Sequence, residues 1–284
     1  MCSIRAWLTH DSGWSYYRAI GCTAAVTSIF LVGCGSTPSF EAAAVSYSGT
    51  KLATSLSVPV PPDSGSNGAE LLIAVLGIQG NPNTFGPAGW TPIPGFEGFN
   101  GTTCQADGQG TACQLSIYYK IASGSEATAE FSWGGARGAA GAVLRYSNID
   151  PADPIGVVSP RRGSSDGPSA PVITTTRDGV RVVRIVITEL DDIKPFLSGS
   201  VAFTVQAPSS RLNIVSFPDG ATDPTNGCGP PLSQCDATER GIGLAVSDTR
   251  HPTVEGSGPA NWELPAPDQW AGASVEIMSA APDS

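Results

Sequence analysis

The sequence predicts an all-β protein, an antiparallel and jelly-roll-like β-sandwich of about 10–12 strands. Strand-length apolar runs alternate with turns along most of the chain, and no stretch shows the periodicity of a long amphipathic helix. The 284 residues include 34 Gly and 24 Pro, yet 40% of the residues are apolar. This composition indicates a turn-rich globular protein with a core rather than a disordered chain.

Three runs carry the prediction of strands. Residues 71–76 are apolar on both faces, which is typical of a central strand. Residues 128–133 alternate between apolar and polar, and residues 180–187 are rich in β-branched side chains. Residues 156–170 are the best candidate for a break between two domains and are alternatively a long inter-strand loop within one domain, and no exact internal repeat is visible. The predicted strands are 45–48, 52–60, 69–79, 114–121, 128–133, 139–146, 171–176, 179–189, 201–206, 212–217, 241–248 and 270–279.

An apolar stretch at residues 19–32 ends in the motif Leu31-Val32-Gly33-Cys34. This motif resembles the lipobox of bacterial lipoproteins, a family in which the Cys becomes the first mature residue and carries lipid. Cleavage without lipid, or a weak membrane anchor, is the alternative. The resulting organisation is a signal peptide at 1–33, a tether at 34–44 and a single β-sandwich domain at 45–284.

The seven cysteines divide into two groups. Cys2 and Cys22 precede the lipobox and Cys34 lies in it, which leaves an even number in the predicted mature domain. An even remainder favours disulfides, which persist in oxidising compartments. Local pairing is the simplest of the three connectivities. A zinc site is disfavoured because zinc-binding pairs are usually spaced by about two to four residues. The four remaining cysteines are Cys104, Cys113, Cys228 and Cys235.

Three short motifs follow one another along the predicted domain. Residues 86–91 are Gly-Pro-Ala-Gly-Trp-Thr, residues 118–122 are Tyr-Tyr-Lys-Ile-Ala, and residues 144–155 contain Asn-Ile-Asp-Pro. Together they resemble a β-sandwich module that recurs in bacterial secreted and surface proteins and in phage tail-associated proteins. The resemblance covers nearly all of residues 45–279. It implies extracellular display and says little about chemistry.

The net charge of −10 limits the possible partners. The longest basic run is Arg161-Arg162, so a phosphate backbone would be repelled and no nucleic-acid partner is expected. Electrostatic docking on anionic lipid is disfavoured for the same reason. Membrane attachment is therefore expected to come from lipid on Cys34.

No catalytic constellation is evident, so no catalytic residue is predicted. The predicted mature domain has one histidine, His251, in a polar turn, and no Gly-x-Ser-x-Gly elbow accompanies it. Two facing carboxylates could serve glycoside hydrolysis, but most of the acidic residues are expected to be solvated in turns. Glu189, Asp191 and Asp192 form a weak calcium candidate, because calcium takes several oxygen ligands from loops. No other cofactor is expected.

Aromatic side chains in loops are the best candidates for contact with a ligand. An exposed ring can stack on the apolar face of a sugar. Phe96, Phe99 and Trp262 lie in Gly-rich or polar segments, which makes them the predicted ligand-binding positions. Packing against the edge of the sandwich is the alternative for each of them.

The resulting hypothesis is a non-enzymatic surface lipoprotein of the bacterial envelope, with a role in adhesion, envelope structure or ligand capture. Gly35, rather than Asp, follows the lipobox-like motif, and the resemblance to lipoproteins then implies the outer membrane where two membranes are present. The first alternative is a carbohydrate-binding or glycoside-hydrolysing protein, with a glycan as its partner. The second is a subunit of a phage-tail-like or cell-surface assembly, with another surface protein as its partner.

Overall fold

The apolar runs form the strands of an antiparallel β-sandwich in a computed structural model of the protein. The structure describes residues 37–48, 53–62, 64, 69–96, 102–104, 113–190, 210–216, 241–264 and 267–280. Every regular element within these ranges is a strand, so they contain no helix able to cross a membrane. The strands are β1 (Ser39–Tyr47), β2 (Ala53–Pro59), β3 (Leu71–Gln79), β4 (Thr84–Phe85), β5 (Thr91–Pro92), β6 (Thr102–Thr103), β7 (Cys113–Ile121), β8 (Thr128–Arg137), β9 (Ala139–Ser147), β10 (Ile155–Ser165), β11 (Ser169–Ala170), β12 (Val180–Leu190), β13 (Ser210–Ser216), β14 (Gly241–His251), β15 (Ala260–Asn261) and β16 (Asp268–Ile277).

The first half of the chain builds a jelly-roll-like pair of sheets. The larger one, sheet 1, has the order β1-β9-β3-β7-β5, and β6 also pairs with β7. The smaller one, the small sheet, has the order β2-β8-β4. The pairings are antiparallel, and β3 is hydrogen-bonded along most of its length to β9 on one side and β7 on the other.

The second half repeats this arrangement. Sheet 2 has the order β10-β16-β12-β14-β13, and the short strands β11 and β15 pair beside it. The order β10-β16-β12-β14 reproduces the connectivity of β1-β9-β3-β7 in sheet 1. The sequence keeps a trace of the repeat: residues 139–146 are Ala-Ala-Gly-Ala-Val-Leu-Arg-Tyr, and residues 270–277 are Trp-Ala-Gly-Ala-Ser-Val-Glu-Ile.

The glycine shared by these two stretches has the same structural role in both halves. A Cβ at Gly141 would lie 2.8 Å from Cγ2 of Val58 in β2. A Cβ at Gly272 would lie 2.9 Å from the carbonyl oxygen of Ser169 in β11. In each half, therefore, the absence of a side chain lets the second strand approach the sheet closely. The repeat is one of topology and packing, and it is only approximate in sequence.

Sheets 1 and 2 pack face to face and enclose the main core. Ile73 of β3 shares this apolar cluster with Ile185 and Leu244 of sheet 2. Leu72, on the other face of β3, belongs to a second cluster with Phe131 of the small sheet. A layer on each side of sheet 1 explains why all nine residues of β3 are buried and why its sequence is continuously apolar.

The sandwich prediction is confirmed, but the structure corrects three predicted elements. Strand β1 begins at Ser39, so residues 39–44 form a strand rather than part of a tether. Strand β10 occupies most of the predicted loop at 156–170. Residues 171–176 are not a strand and contain one isolated bridge at Thr174. The predicted strand at 201–206 lies outside the described residues. Those described residues all fall within one compact unit of the chain.

Candidate functional site

A surface groove opens where one edge of sheet 2 lies beside sheet 1. Strand β10 forms that edge of sheet 2, and it contacts the short strand β6 of sheet 1. The groove has a volume of about 320 Å³, at the lower end of the range of roughly 300–1,000 Å³ typical of small-ligand sites. It is lined by Thr102, Thr103, Pro160, Arg161 and Arg162.

The two arginines reach the groove from opposite sides of β10, because consecutive side chains of a strand point to opposite faces. Both residues are exposed. The guanidinium carbon of Arg161 lies 5.8 Å from the centre of the Trp270 ring, within the range of a cation–π contact. Arg162 donates from Nη1 to the Thr103 hydroxyl in a long hydrogen bond of 3.5 Å. Each guanidinium therefore has one side-chain contact, and a guanidinium carries five N–H donors in all.

Arg161 and Arg162 form no ion pair with any residue that the structure describes. Another exposed arginine behaves differently, since Arg177 lies 3.4 Å from a carboxylate oxygen of Asp150 and of Asp153. The protein as a whole carries a net charge of −10. The groove is therefore a local reversal of the sign of the surface charge.

A disulfide positions the threonine side of the groove. Cys104 and Cys113 are bonded and buried, and the Cys104 N–H donates to the Cys113 carbonyl at 2.8 Å. The bond ties the residue after β6 to the first residue of β7, so Thr102 and Thr103 are held immediately before it. The Thr102 hydroxyl also donates to the Gly95 carbonyl at 3.1 Å. The predicted local pairing is confirmed for these two cysteines.

The described lining of the groove offers groups that can bind an anion. No carboxylate, histidine or thiol is among the described residues that line it, so the threonine hydroxyls have no general base there. Guanidinium groups present rigid forks of donors that match the oxygens of carboxylates and phosphates. Threonine hydroxyls can donate and accept hydrogen bonds. The arrangement can therefore hold an anion that also carries polar, sugar-like groups.

The opposite edge of the sandwich is closed by a buried ion cluster. Asp248 of β14 is fully buried and accepts hydrogen bonds from Arg181 and Arg211. Arg211 binds it in a bidentate way, with Nε 2.9 Å from Oδ2 and Nη2 3.0 Å from Oδ1. Tyr146 of sheet 1 donates to Oδ2 at 3.3 Å. Burial, and next the negative charge of Asp248, raise the pKa of Tyr146 well above its usual value, while hydrogen bonding to Asp248 raises the pKa of Arg211.

A second buried polar cluster lies on the outer face of sheet 2. Arg184 donates to the Thr249 hydroxyl at 2.8 Å and to the Ser257 carbonyl, and burial lowers its pKa. His251, expected in a polar turn, is a buried strand residue, and its Nδ1 lies 3.1 Å from Oε1 of Glu255. The Nε2 of His251 has no hydrogen-bond partner among the described residues, so it activates no nucleophile there.

Two of the three predicted ligand-binding aromatics are buried, which corrects the expectation of exposed rings. Phe96 has no exposed surface and belongs to the main core, and Trp262 is 2% exposed. Their neighbours in the sequence are polar or glycine, but their neighbours in space enclose each ring. Phe99 lies outside the described residues. Sequence reasoning missed Phe85 and Tyr47, which are 59% and 55% exposed.

The structure describes one of the three predicted calcium residues, Glu189. Glu189 is a buried residue of β12 rather than a loop residue. No group of three or more His, Cys, Asp or Glu residues able to hold a metal ion occurs among the described residues. The predicted site residues outside the described ranges are Cys34, Phe99, Asp191, Asp192, Cys228 and Cys235.

No protein-family model, curated protein or solved structure matches the chain. Its own fold and site therefore define its class. The described part is an antiparallel β-sandwich with a cationic groove at one edge and a buried ion cluster at the other. The groove is the candidate functional site because it combines a cavity, hydroxyl groups and two arginines that have no carboxylate partner among the described residues.

Proposed function

We propose that the protein is a non-enzymatic binding protein of the bacterial envelope, anchored by lipid on Cys34 and facing outside the cytoplasm. The observation that carries the proposal is the groove between β6 and β10. Arg161 and Arg162 line it without an ion-pair partner among the described residues. Charge that is not used within the fold can be used to hold a ligand.

The cysteines support the part of the proposal that concerns export. The buried disulfide between Cys104 and Cys113 is of the kind that persists in oxidising compartments. The pair follows the lipobox-like motif Leu31-Val32-Gly33-Cys34 in the chain. The motif and the disulfide thus indicate the same side of the membrane by separate chemistry.

The groove favours binding over hydrolysis if the ligand is a carbohydrate. Glycoside hydrolysis uses two carboxyl groups that are about 5–10 Å apart across the scissile bond. No carboxylate is among the described residues that line the groove. Carbohydrate binding needs only donors, acceptors and a shaped surface, which the threonines and arginines supply.

Membrane anchoring is tested by changing Cys34 to Ala and feeding cells a radiolabelled fatty acid. The parent protein is expected to carry the label in the membrane fraction, and Cys34→Ala is expected to carry none and to leave that fraction. Cys22→Ala is the matched control, because Cys22 lies in the predicted signal and is expected to leave labelling unchanged. Full labelling of Cys34→Ala would refute the lipid anchor.

Strand β1 supports assembly with another chain as a second candidate function. It lies at an edge of sheet 1 and exposes Val45 and Tyr47, which are 37% and 55% exposed. An exposed strand edge with apolar side chains can pair with a strand of another molecule, and an edge lysine prevents this. Val45→Lys is therefore expected to convert an oligomer to a monomer in light scattering. A parent protein that is already monomeric, with no partner displaced by Val45→Lys in cross-linking on cells, removes this candidate.

A further inference from the structure

The charge of the groove restricts its ligand to a sparsely charged anion. Arg161 and Arg162 are adjacent, exposed and not ion-paired among the described residues, whereas the whole chain carries a net charge of −10. A dense polyanion such as a nucleic acid would be attracted by the groove and repelled by the rest of the surface. A ligand with one anionic group among neutral groups would be attracted by the groove and would be repelled far less by the rest of the surface.

The arginines point to a planar oxyanion. Arg161 is restrained beside the Trp270 ring, and Arg162 is restrained by the Thr103 hydroxyl. These contacts limit the conformational entropy that the side chains lose when they bind. Arginine forks bind the two oxygens of a carboxylate in a bidentate, charge-assisted way.

The threonines add groups that recognise hydroxyls. The Thr102 hydroxyl donates to the Gly95 carbonyl, so its oxygen can accept a further hydrogen bond from a ligand. The Thr103 hydroxyl accepts from Arg162, so its own proton can be donated to a ligand. A donor and an acceptor side by side suit a sugar, whose hydroxyls do both.

We propose that this groove binds an acidic glycan, with a sugar carboxylate held by Arg162 beside Thr103, Arg161 adding positive charge from the other face of β10, and the neighbouring sugar hydroxyls held by Thr102 and Thr103. The inference rests on the proposed function, because it names the ligand class of the same site. The groove lies at the edge of the sandwich, and its volume of about 320 Å³ falls within the range of roughly 300–1,000 Å³ of small-ligand sites.

The test is calorimetric titration of the full-length protein in detergent with a neutral oligosaccharide that carries one glucuronic acid, so that the probe has a single carboxylate. Its methyl ester is the matched probe, because it keeps the sugars and removes the charge. The parent protein is expected to bind the acid at least about tenfold more tightly than the ester, since a charge-assisted bond contributes more than about 1.4 kcal/mol. Added salt is expected to weaken binding of the acid only.

The matched variants are Arg161→Gln combined with Arg162→Gln, and Arg137→Gln as the control. Arg137 is an exposed arginine at the end of β8, in the small sheet and away from the groove. The double variant is expected to lose at least about tenfold in affinity for the acid, and the control is expected to keep the parent affinity. Thermal unfolding verifies that the double variant is folded, and the comparison of acid and ester needs no variant.

Three results would overturn the inference. They are no detectable binding of the acidic oligosaccharide, equal binding of acid and ester, and full affinity in the double variant. Fatty-acid labelling of Cys34 is measured separately. A protein that is labelled but does not bind the acid would support the lipid anchor and refute the acidic-glycan ligand. A protein that is not labelled but binds the acid through the groove would refute the lipid anchor and support the acidic-glycan ligand.

Discussion

The two edges of the sandwich use arginine in opposite ways. At the closed edge, Arg181 and Arg211 both bind the buried carboxylate of Asp248, which also accepts a hydrogen bond from Tyr146 across the two sheets. At the open edge, the arginines of β10 lie beside sheet 1 without a carboxylate among the described residues. The comparison teaches that one acidic residue decides whether arginine joins the sheets or stays accessible to a ligand.

The two edges also differ in what holds them in place. At the closed edge the charges are buried, and a buried ion is tolerated only when its partners compensate the loss of hydration. At the open edge the charges are hydrated, so the fold does not depend on them. There the disulfide between Cys104 and Cys113 fixes the strand that faces the arginines. Stability and binding are thus separated between the edges.

The largest effect is expected from Asp248→Asn, which removes the shared acceptor of the closed edge. It leaves Arg181 and Arg211 beside a neutral amide, and breaking a buried pair in this way costs about 3–5 kcal/mol of unfolding free energy. Urea unfolding measures the change. Asp150→Asn is the control, because its partner Arg177 is exposed and such pairs contribute only about 0–1 kcal/mol. Equal losses of unfolding free energy in the two variants would show that the buried cluster around Asp248 stabilises the fold no more than an exposed ion pair does.

The next effect concerns the open edge and its disulfide. Cys104→Ser combined with Cys113→Ser is expected to lower the unfolding free energy by about 2–3 kcal/mol, because the bond closes a short loop in the unfolded chain. Binding in the groove should weaken too, since Thr102 and Thr103 lose their support. Unchanged urea unfolding together with unchanged titration would mean that the disulfide does not organise this edge.

A smaller effect on stability is expected from Tyr146 at the closed edge, and this effect depends on pH. The pKa of Tyr146 is raised in the folded protein above the ordinary value of 10.0, so Tyr146 stays protonated there while the unfolded chain ionises. Stability contributed by Tyr146 is therefore present below pH 10.0 and is lost as pH rises above it. Tyr146→Phe is expected to cost about 0.5–1.5 kcal/mol at neutral pH through the lost hydrogen bond, and to flatten the alkaline loss.

The control for this prediction is Tyr47→Phe, because Tyr47 is exposed and lies in β1. Its alkaline profile in urea unfolding should match that of the parent protein. An alkaline profile of Tyr146→Phe as steep as that of the parent would contradict the prediction, because the ionisation responsible would then belong to other groups.

The sheets could be predicted from the sequence because the residues of their interior strands are mostly apolar where the strand is buried. Residues 71–76 are apolar on both faces since β3 has a layer on each side, and residues 180–187 are β-branched since β12 is central in sheet 2. The local disulfide also followed from the even number and the spacing of the cysteines together with the predicted export. The approximate repeat of residues 139–146 in residues 270–277 was visible in principle, but its meaning depends on strand order.

The groove could not be predicted in the same way, because it lies beside β10, an edge strand of sheet 2. Strand β10 has one neighbour in its sheet, so it tolerates Pro160 and adjacent arginines and shows no clear alternation. The signal that the sequence offers is Arg161-Arg162, the longest basic run of an acidic chain, and a run of two argues against nucleic acid and anionic lipid without locating a groove. Conversely, Trp262 has polar neighbours in the chain and is only 2% exposed, so exposure could not be inferred from local composition.

The smallest change in unfolding free energy is expected for the two arginines of the open edge. Arg161→Gln and Arg162→Gln should each change the unfolding free energy by less than about 0.5 kcal/mol, because both side chains are exposed and neither joins an ion pair among the described residues. Arg181→Gln, by contrast, removes a partner of the buried Asp248 and should cost several-fold more. Urea unfolding of the three variants compares the edges directly. A loss at Arg162 as large as that at Arg181 would mean that the open edge also uses its arginine to hold the sheets, and that the long bond from Arg162 to Thr103 is structural.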